Sequence, residues 1–176
     1  MINVLQILLF IVFSQSVEYS ILWNENSRLT WADFKGKPDK NIDAAALTAS
    51  GITVDLSAKT TQTELLNFNV LVEARFYPDK SWYKRESASS FVLAHEQLHF
   101  DITELHARKL RRILDHANLT VNIKREVSKL NDIINEELKE MQQEYDRDSN
   151  FSRNKDTQRK WQDFVHNELR KLSKYK

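Results

Sequence analysis

Alternation between apolar and polar residues predicts two β-strands in the first half of the chain. The stretch "GITVDLS" (51–57) places apolar residues at every second position, which is the pattern of a half-buried strand. The longer stretch "LLNFNVLVEARFY" (65–77) continues this alternation over more residues. Because only a short polar loop separates the two stretches, we expect them to pair as antiparallel neighbours. The sequence therefore predicts a small antiparallel sheet.

Apolar residues at spacings of three and four predict three helices in the rest of the chain. The first helix covers roughly residues 87–116, and the second covers roughly residues 121–145. A polar loop at 146–156 leads to a last helix that carries Trp161, Phe164, Val165 and Leu169. Strands followed by packed helices indicate the α+β class, with the small sheet lying on the three helices. A length of 176 residues suits one domain with a substantial core.

The first sixteen residues are typical of a secretory signal peptide. Their apolar run, from Val4 to Phe13, has about the length of a signal-peptide core and is well short of a membrane span. Small residues at 14 and 16 suit a signal peptidase, so we expect cleavage after Ser16 and one mature domain at 17–176. No lysine or arginine precedes the apolar run, which leaves an uncleaved anchor as the alternative. We expect a secreted or periplasmic protein that is free of the membrane once the signal is removed.

Composition narrows the possible chemistry. The 26 basic and 25 acidic residues nearly cancel, which argues against a nucleic-acid partner. The basic stretch "RKLRR" (108–112) lies within the first predicted helix, and we interpret it as a solvated face. Cysteine is absent, so a cysteine-rich zinc cluster is excluded. With two glycines in the whole chain, a glycine-rich phosphate loop is excluded as well.

The stretch "AHEQLHF" (94–100) carries the strongest chemical signal. His95 and His99 are four residues apart, so a helix projects them from one face and both can bind one Zn²⁺ ion. Glu96 lies about 100° around the helix from His95, where it can act as general base. Zinc lowers the pKa of a bound water to roughly 7, and Glu96 then accepts its proton as the water attacks a carbonyl. The alternative is that both histidines are merely solvated.

These residues resemble a bacterial family of predicted secreted zinc-dependent proteases, otherwise a domain of unknown function with an H-E-x-x-H-F-D motif. The resemblance rests on segments in the same order along almost the whole mature chain: "LTWADFKGKPD" (29–39), "ALTASGI" (46–52), "SW" (81–82), "AHEQLHFDITELHARKL" (94–110), "YDRDS" (145–149) and "QRKW" (158–161). It implies a zincin-like metallopeptidase fold with the motif on the first long helix. It also implies that His95 and His99 bind zinc and that Glu96 is catalytic.

The chain departs from that family pattern at one position. In the pattern, a histidine follows the tyrosine–aspartate pair five residues after the aspartate. The corresponding residue here is Phe151. If that histidine is a metal ligand in the relatives, this chain lacks it. Two histidines alone make a poor zinc site, because catalytic zinc normally has three protein ligands.

Asp146 is the candidate for the third ligand. It ends the second predicted helix, and it faces the histidines if that helix packs antiparallel to the first. The alternative is that Asp146 caps the helix end or the following loop. His106 lies on the same face as His99 but about 10 Å further along the helix axis, which is too far. Glu144 and His166 are weaker candidates.

Three further residues have alternative roles. Asp101 and Glu104 either orient the histidines by hydrogen bonds from outside the coordination sphere, or pair locally, as Glu104 can with Arg108. Tyr145 either donates to a developing oxyanion or packs in the core, and the helix periodicity favours core packing.

The leading functional hypothesis is a secreted zinc metallopeptidase that hydrolyses a peptide or protein substrate, held in extended form along a strand edge. The first alternative is a catalytically degenerate relative that uses the same cleft to bind a peptide or a partner. The second is a helical interaction module whose histidines are incidental. The substrate and the oligomeric state stay open.

Overall fold

The computed structural model describes residues 19–39 and 41–176, so the predicted signal peptide lies outside the described residues. Within these residues, five strands occupy Ile21–Leu22 (β1), Ala46–Leu47 (β2), Ser50–Thr60 (β3), Leu65–Phe76 (β4) and Trp82–Tyr83 (β5). Three helices follow at Ser90–His116 (α1), Ile123–Asp148 (α2) and Lys155–Lys171 (α3). The predicted α+β class, with small antiparallel sheets and three helices, is therefore confirmed. No helix in the described part of the chain is long and apolar enough to cross a membrane.

The two long strands pair as the alternation predicts. β3 and β4 are antiparallel neighbours in register from Ser50↔Phe76 to Ala58↔Phe68 and beyond. β1 adds a short third strand on the outer side of β4, giving the order β1-β4-β3. Leu66 and Phe68 lie on the same face of β4 as the buried Val72 and Phe76, yet both stay exposed. The β3–β4 hairpin extends beyond the helices that pack on it, so the end that carries its turn is exposed to solvent.

A second sheet, which the sequence pattern did not predict, consists of β2 and β5. Each of these strands has two residues, which is too short for alternation to be recognised. Two residues connect β2 to β3, and a single 3₁₀ turn connects β4 to β5. The small sheet therefore lies next to the end of the large sheet where β3 begins and β4 ends. Gly36 lies against this junction, where an added Cβ would be 2.9 Å from the carbonyl oxygens of Asp79 and Ser81. Glycine is needed there for a steric reason.

Helix α1 lies at the centre of the molecule. Its N-cap is Ser89, whose side chain accepts a hydrogen bond from the Val92 N–H. One side of α1 packs on the sheet through a cluster that includes Phe76, Phe100 and Leu110. The other side packs on α2 and α3 through a second cluster that includes Leu98, Ile102 and Val165. As a result, α1 is buried on nearly all faces between His95 and Arg108.

The interpretation of "RKLRR" as a solvated face was wrong for Arg108. This side chain is buried, stacks over the Trp23 ring and donates to the carboxylate of Glu104 and the carbonyl of Leu169. Arg111 also bonds the Glu104 carboxylate. The buried arginine is tolerated because a buried carboxylate lies beside it.

Candidate metal centre

The α1–α2 hairpin brings the H-E-x-x-H segment opposite the end of α2. The two helices are antiparallel and joined by residues 117–122, so the first turns of α1 face the last turns of α2. Asp146, in the last turn of α2, therefore lies against His95 and His99. This is the arrangement on which the prediction of Asp146 as third ligand depended.

Three ligand atoms converge at this point. His95 Nε2 is 3.2 Å from Asp146 Oδ1, and His99 Nε2 is 3.0 Å from the same oxygen. The two Nε2 atoms are 3.2 Å apart. His95, His99 and Asp146 thus form a group that could hold a metal ion. In a tetrahedral zinc site with bonds of 2.0–2.1 Å, two ligand atoms are separated by about 3.4 Å, close to these three distances.

Gln142 fixes which nitrogen of His99 carries the proton. The Gln142 Nε2 group donates to the carbonyl oxygen of His99 at 3.0 Å, and that oxygen can only accept. The Gln142 Oε1 atom must therefore be the end that meets His99 Nδ1, so Nδ1–H donates to it. In neutral His99 this leaves a lone pair on Nε2, directed at the carboxylate of Asp146. Two such acceptors 3.0 Å apart need a cation between them, either a proton or a metal ion.

The pKa shifts describe the same attraction for positive charge. Burial acts to lower the pKa of His99, but the hydrogen bond to Asp146 and the charges of Glu96 and Asp146 outweigh it and leave the pKa raised. Burial acts to raise the pKa of Asp146, yet hydrogen bonds with both histidines hold it well below its ordinary value. The centre therefore keeps its carboxylate ionised and favours a cation beside it.

Glu96 lies next to this centre at the base of an open cleft of about 850 Å³. Glu96 is 4% exposed, and its backbone carbonyl accepts a hydrogen bond from the Thr48 hydroxyl at 3.2 Å. Among the described residues, no group donates a hydrogen bond to the Glu96 carboxylate. Because the Glu96 side chain lines the cleft beside the candidate cation site and has no such donor, its carboxylate is available to accept a proton from water.

The cleft has walls from three parts of the fold. One wall is the segment 43–48, which includes β2, and the opposite wall is α2. Phe151 also lines the cleft and is 52% exposed. It belongs to a run of three non-glycine residues with positive φ, from Asn150 to Ser152. The residue at the position of the family histidine therefore lies at the edge of the same cleft.

Tyr145 packs in the core, as the periodicity predicts. Its side chain is fully buried in the cluster between α1, α2 and α3. The ring stacks on His95 with centroids 4.5 Å apart, and it meets His99 edge-on. Burial, together with the nearby charge of Glu96, raises the pKa of Tyr145 far above its ordinary value, so its hydroxyl keeps its proton.

Asp101 and Glu104 do not orient the histidines, which corrects one of the two roles expected for them. The Asp101 carboxylate accepts hydrogen bonds from Trp23, Arg28 and Gln97. These bonds fix the N-terminal segment to α1. The Glu104 carboxylate pairs with Arg108, the local contact that the sequence allowed. Both carboxylates point away from the histidine face because they lie on other sides of the helix.

The remaining candidates lie apart from the centre. His106 is fully buried and donates through Nδ1 to the Ile102 carbonyl. Burial, reinforced by the charge of Lys109, lowers its pKa to about 4. Glu144 is exposed on α2, and His166 lines a different cleft between α1 and α3.

Sequence reasoning missed Gln142 and Thr48. Gln142 lies one helical turn before Asp146, so the same face of α2 carries both. That spacing is the signal that could have pointed to it. Thr48 has no such signal, because its contact with Glu96 depends on how β2 lies over α1.

Comparison with known protein families identifies a match for most of the chain. Residues 27–154 match the family described as "Bacterial protein of unknown function (DUF922)". The matched region includes both histidines, Glu96 and Asp146. No curated protein matches the chain, and no solved structure matches it.

Proposed function

The chain belongs to DUF922, a bacterial family of unknown function, and we propose from its site that it is a zinc-dependent metallopeptidase. The observation that carries this proposal is the convergence of His95, His99 and Asp146 within 3.0–3.2 Å of one another, with Glu96 beside them. Three protein ligands leave one position open, as catalytic zinc sites do, whereas structural zinc sites use four.

The donor set fits zinc. Two imidazole nitrogens and one carboxylate oxygen are all zinc ligands, and the Gln142 acceptor holds His99 in the tautomer that frees Nε2. When bound, zinc supplies Lewis acidity, which polarises a carbonyl and makes water acidic enough to lose a proton near neutral pH.

Glu96 is the general base in this proposal. Its carboxylate is adjacent to the ligand triangle but is not part of it, and it has no competing hydrogen-bond donor among the described residues. It accepts a proton from the attacking water and can return it to the departing amine. Tyr145 is not assigned a role in proton transfer, because its hydroxyl is buried in the core.

The substrate peptide binds along β2. Within the small sheet, the Lys84 N–H donates to the Ala45 carbonyl, and Ala46 is opposite Tyr83. By the alternation of antiparallel pairing, the backbone groups of Ala46 and Thr48 point to the other edge of the strand. Thr48 also bonds the Glu96 carbonyl, so this edge lies beside the general base. An extended peptide can add to it by β-augmentation.

A strand edge that lies across the metal-binding helix is the arrangement of a zincin-like fold, and we propose that relationship for this chain. Secretion or a periplasmic location belongs to the same proposal. It is supported by the apolar run from Val4 to Phe13.

The second candidate is a degenerate metallopeptidase relative that binds a peptide or a partner without cleaving it. Phe151 favours this candidate, because it stands where the resembled family pattern has a histidine. Asp146 argues against it, since it provides a third ligand without that histidine.

The test compares Glu96→Gln with the native chain after both are loaded with one equivalent of zinc. Glu86→Gln, an exposed glutamate just before α1, is the matched control. We expect Glu96→Gln to bind zinc normally and to cleave an unfolded protein substrate about 10²–10⁴-fold more slowly. Equal cleavage rates in Glu96→Gln and the native chain would remove Glu96 as the base. Zinc binding with no cleavage in the native chain would favour the degenerate relative.

A further inference from the structure

Three buried polar side-chain atoms have no hydrogen-bond partner in the described part of the chain: His95 Nδ1, the Tyr145 hydroxyl and Gln158 Oε1. A buried polar group without a partner has lost its hydrogen bonds to water and gained none in return, so native proteins rarely leave one. Here there are three, and one of them belongs to a proposed metal ligand. Their positions in the fold explain why they occur together.

Tyr145 is held against His95 by ring stacking. The two ring centroids are 4.5 Å apart and the planes are inclined by 27°. This stacking keeps the tyrosine on the face of the imidazole, on the core side of the histidine. Both rings therefore lie in the buried contact between α1 and α2, and each carries one of the unpaired atoms.

Gln158 reaches the same region from α3. Its Nε2 group donates to the Phe91 carbonyl at 3.1 Å, one helical turn before His95 on α1. Three residues later on α3, Trp161 packs on Tyr145, with the two ring centroids 5.6 Å apart. Gln158 is thus bonded to the turn that precedes His95, and it lies on the same helix as the Trp161 ring that packs on Tyr145. Because the Phe91 carbonyl can only accept, the free end of Gln158 is its oxygen.

The unpaired atoms are complementary. His95 Nε2 faces the ligand triangle, so with a metal bound the imidazole proton is on Nδ1. His95 and Tyr145 then offer two donors, and Gln158 offers one acceptor. One water molecule can accept from both donors and donate to the acceptor. Buried waters typically make about three such bonds, so the three groups match what one water needs.

We propose that Gln158, through one internal water shared with Tyr145, positions the metal ligand His95. The inference rests on the proposed metal centre, because it makes Gln158 and Tyr145 the outer partners of that ligand. A histidine that binds a metal almost always gives its other N–H to a carboxylate, a carbonyl or a water. Gln142 does this directly for His99, and Gln158 does it through the water for His95.

The first test is the zinc affinity of Gln158→Met, which keeps the side-chain length and removes the acceptor. The matched control is Gln162→Met, one turn later on α3, whose side chain lines the cleft on the other side of α1. We expect Gln158→Met to weaken zinc binding about 10–100-fold in a chelator competition and Gln162→Met to leave it unchanged. Tyr145→Phe, which removes one donor from the same water, should weaken binding less. Its effect should not add to that of Gln158→Met.

The second test does not depend on metal binding. A high-resolution crystal structure of the native chain, grown with and without zinc, should show one ordered water about 2.7–3.2 Å from His95 Nδ1 and Gln158 Oε1. If Nδ1 carries no proton in the metal-free protein, the water can donate a hydrogen bond to Nδ1 instead of accepting one. The water should therefore be present in both crystals. No water between these atoms overturns the inference, as does unchanged zinc affinity in a folded Gln158→Met variant. A native chain that shows the water but binds no zinc overturns the proposed function instead.

Discussion

Removal of the Asp146 carboxylate tests the ligand assignment that the sequence alone left open. Asp146→Ala deletes the oxygen that lies 3.0 Å from His99 Nε2 and 3.2 Å from His95 Nε2. The side chain is 30% exposed, so water can enter the space and no core cavity is formed. Glu144→Ala is the matched control, because it removes an exposed carboxylate two residues away on the same helix.

The magnitude follows from ligand linkage. Zinc at a thousandfold excess over its Kd stabilises the native chain by about 4.1 kcal/mol. Loss of an outer partner of a metal ligand costs about 10–100-fold in affinity, so loss of a ligand should cost at least about 100-fold. At the same zinc concentration, Asp146→Ala then retains only about 1.4 kcal/mol of stabilisation. The difference of about 2.7 kcal/mol corresponds to a zinc-induced rise in Tm that is smaller by about 5–11 °C.

The assay is the change in Tm when zinc is added to each protein, measured by calorimetry at pH 7. Because each variant's Tm with zinc is compared with its own Tm without zinc, an effect on metal binding is separated from an effect on the metal-free protein. This matters because Asp146 contacts both histidines without a metal, so its removal also changes the metal-free protein. If Asp146→Ala gains as much Tm from zinc as Glu144→Ala does, Asp146 is not a ligand and the centre must be assigned differently.

Three further predictions address other parts of the account. Gln142→Leu removes the acceptor of His99 Nδ1–H and should weaken zinc binding about 10–100-fold in a chelator competition; an unchanged Kd would refute its role in fixing the tautomer. Phe151→His should change zinc affinity by less than about tenfold, because three ligands are already present. A much larger gain would identify the native site as degenerate. His106 has a pKa lowered from 6.5 to about 4, so the unfolded chain binds its proton more readily and stability is lost as pH falls from 6.5 towards 4. Between pH 7 and pH 4.5 this group should remove roughly 2.5 kcal/mol from the urea unfolding free energy, a loss that His106→Leu should not show.

The long elements were predictable because their patterns are long. The alternation in 65–77 identified β4, and the three-and-four spacing identified all three helices, the first two with bounds correct to within a few residues. The two-residue strands β2 and β5 could not be predicted in this way, since they are defined by pairing with each other. For the same reason, the sequence did not predict the edge of β2 along which we propose that the substrate binds.

The candidate site was predictable only in part. The helical spacing placed His95, Glu96 and His99 together, and the antiparallel packing of α2 brought Asp146 to them. The burial of Arg108 could not be read from its basic neighbours, because it depends on Glu104 and on the packing of α3. Gln158 lies on a separate helix, so no local pattern relates it to His95.

The most direct test of the central claim is an anomalous difference map from crystals of the native chain grown with zinc and recorded at the zinc absorption edge. The account predicts a single strong peak about 2.0–2.2 Å from His95 Nε2, His99 Nε2 and Asp146 Oδ1. A map with no peak between these atoms, from crystals that contain zinc in the mother liquor, would contradict the metal centre and with it the proposed peptidase.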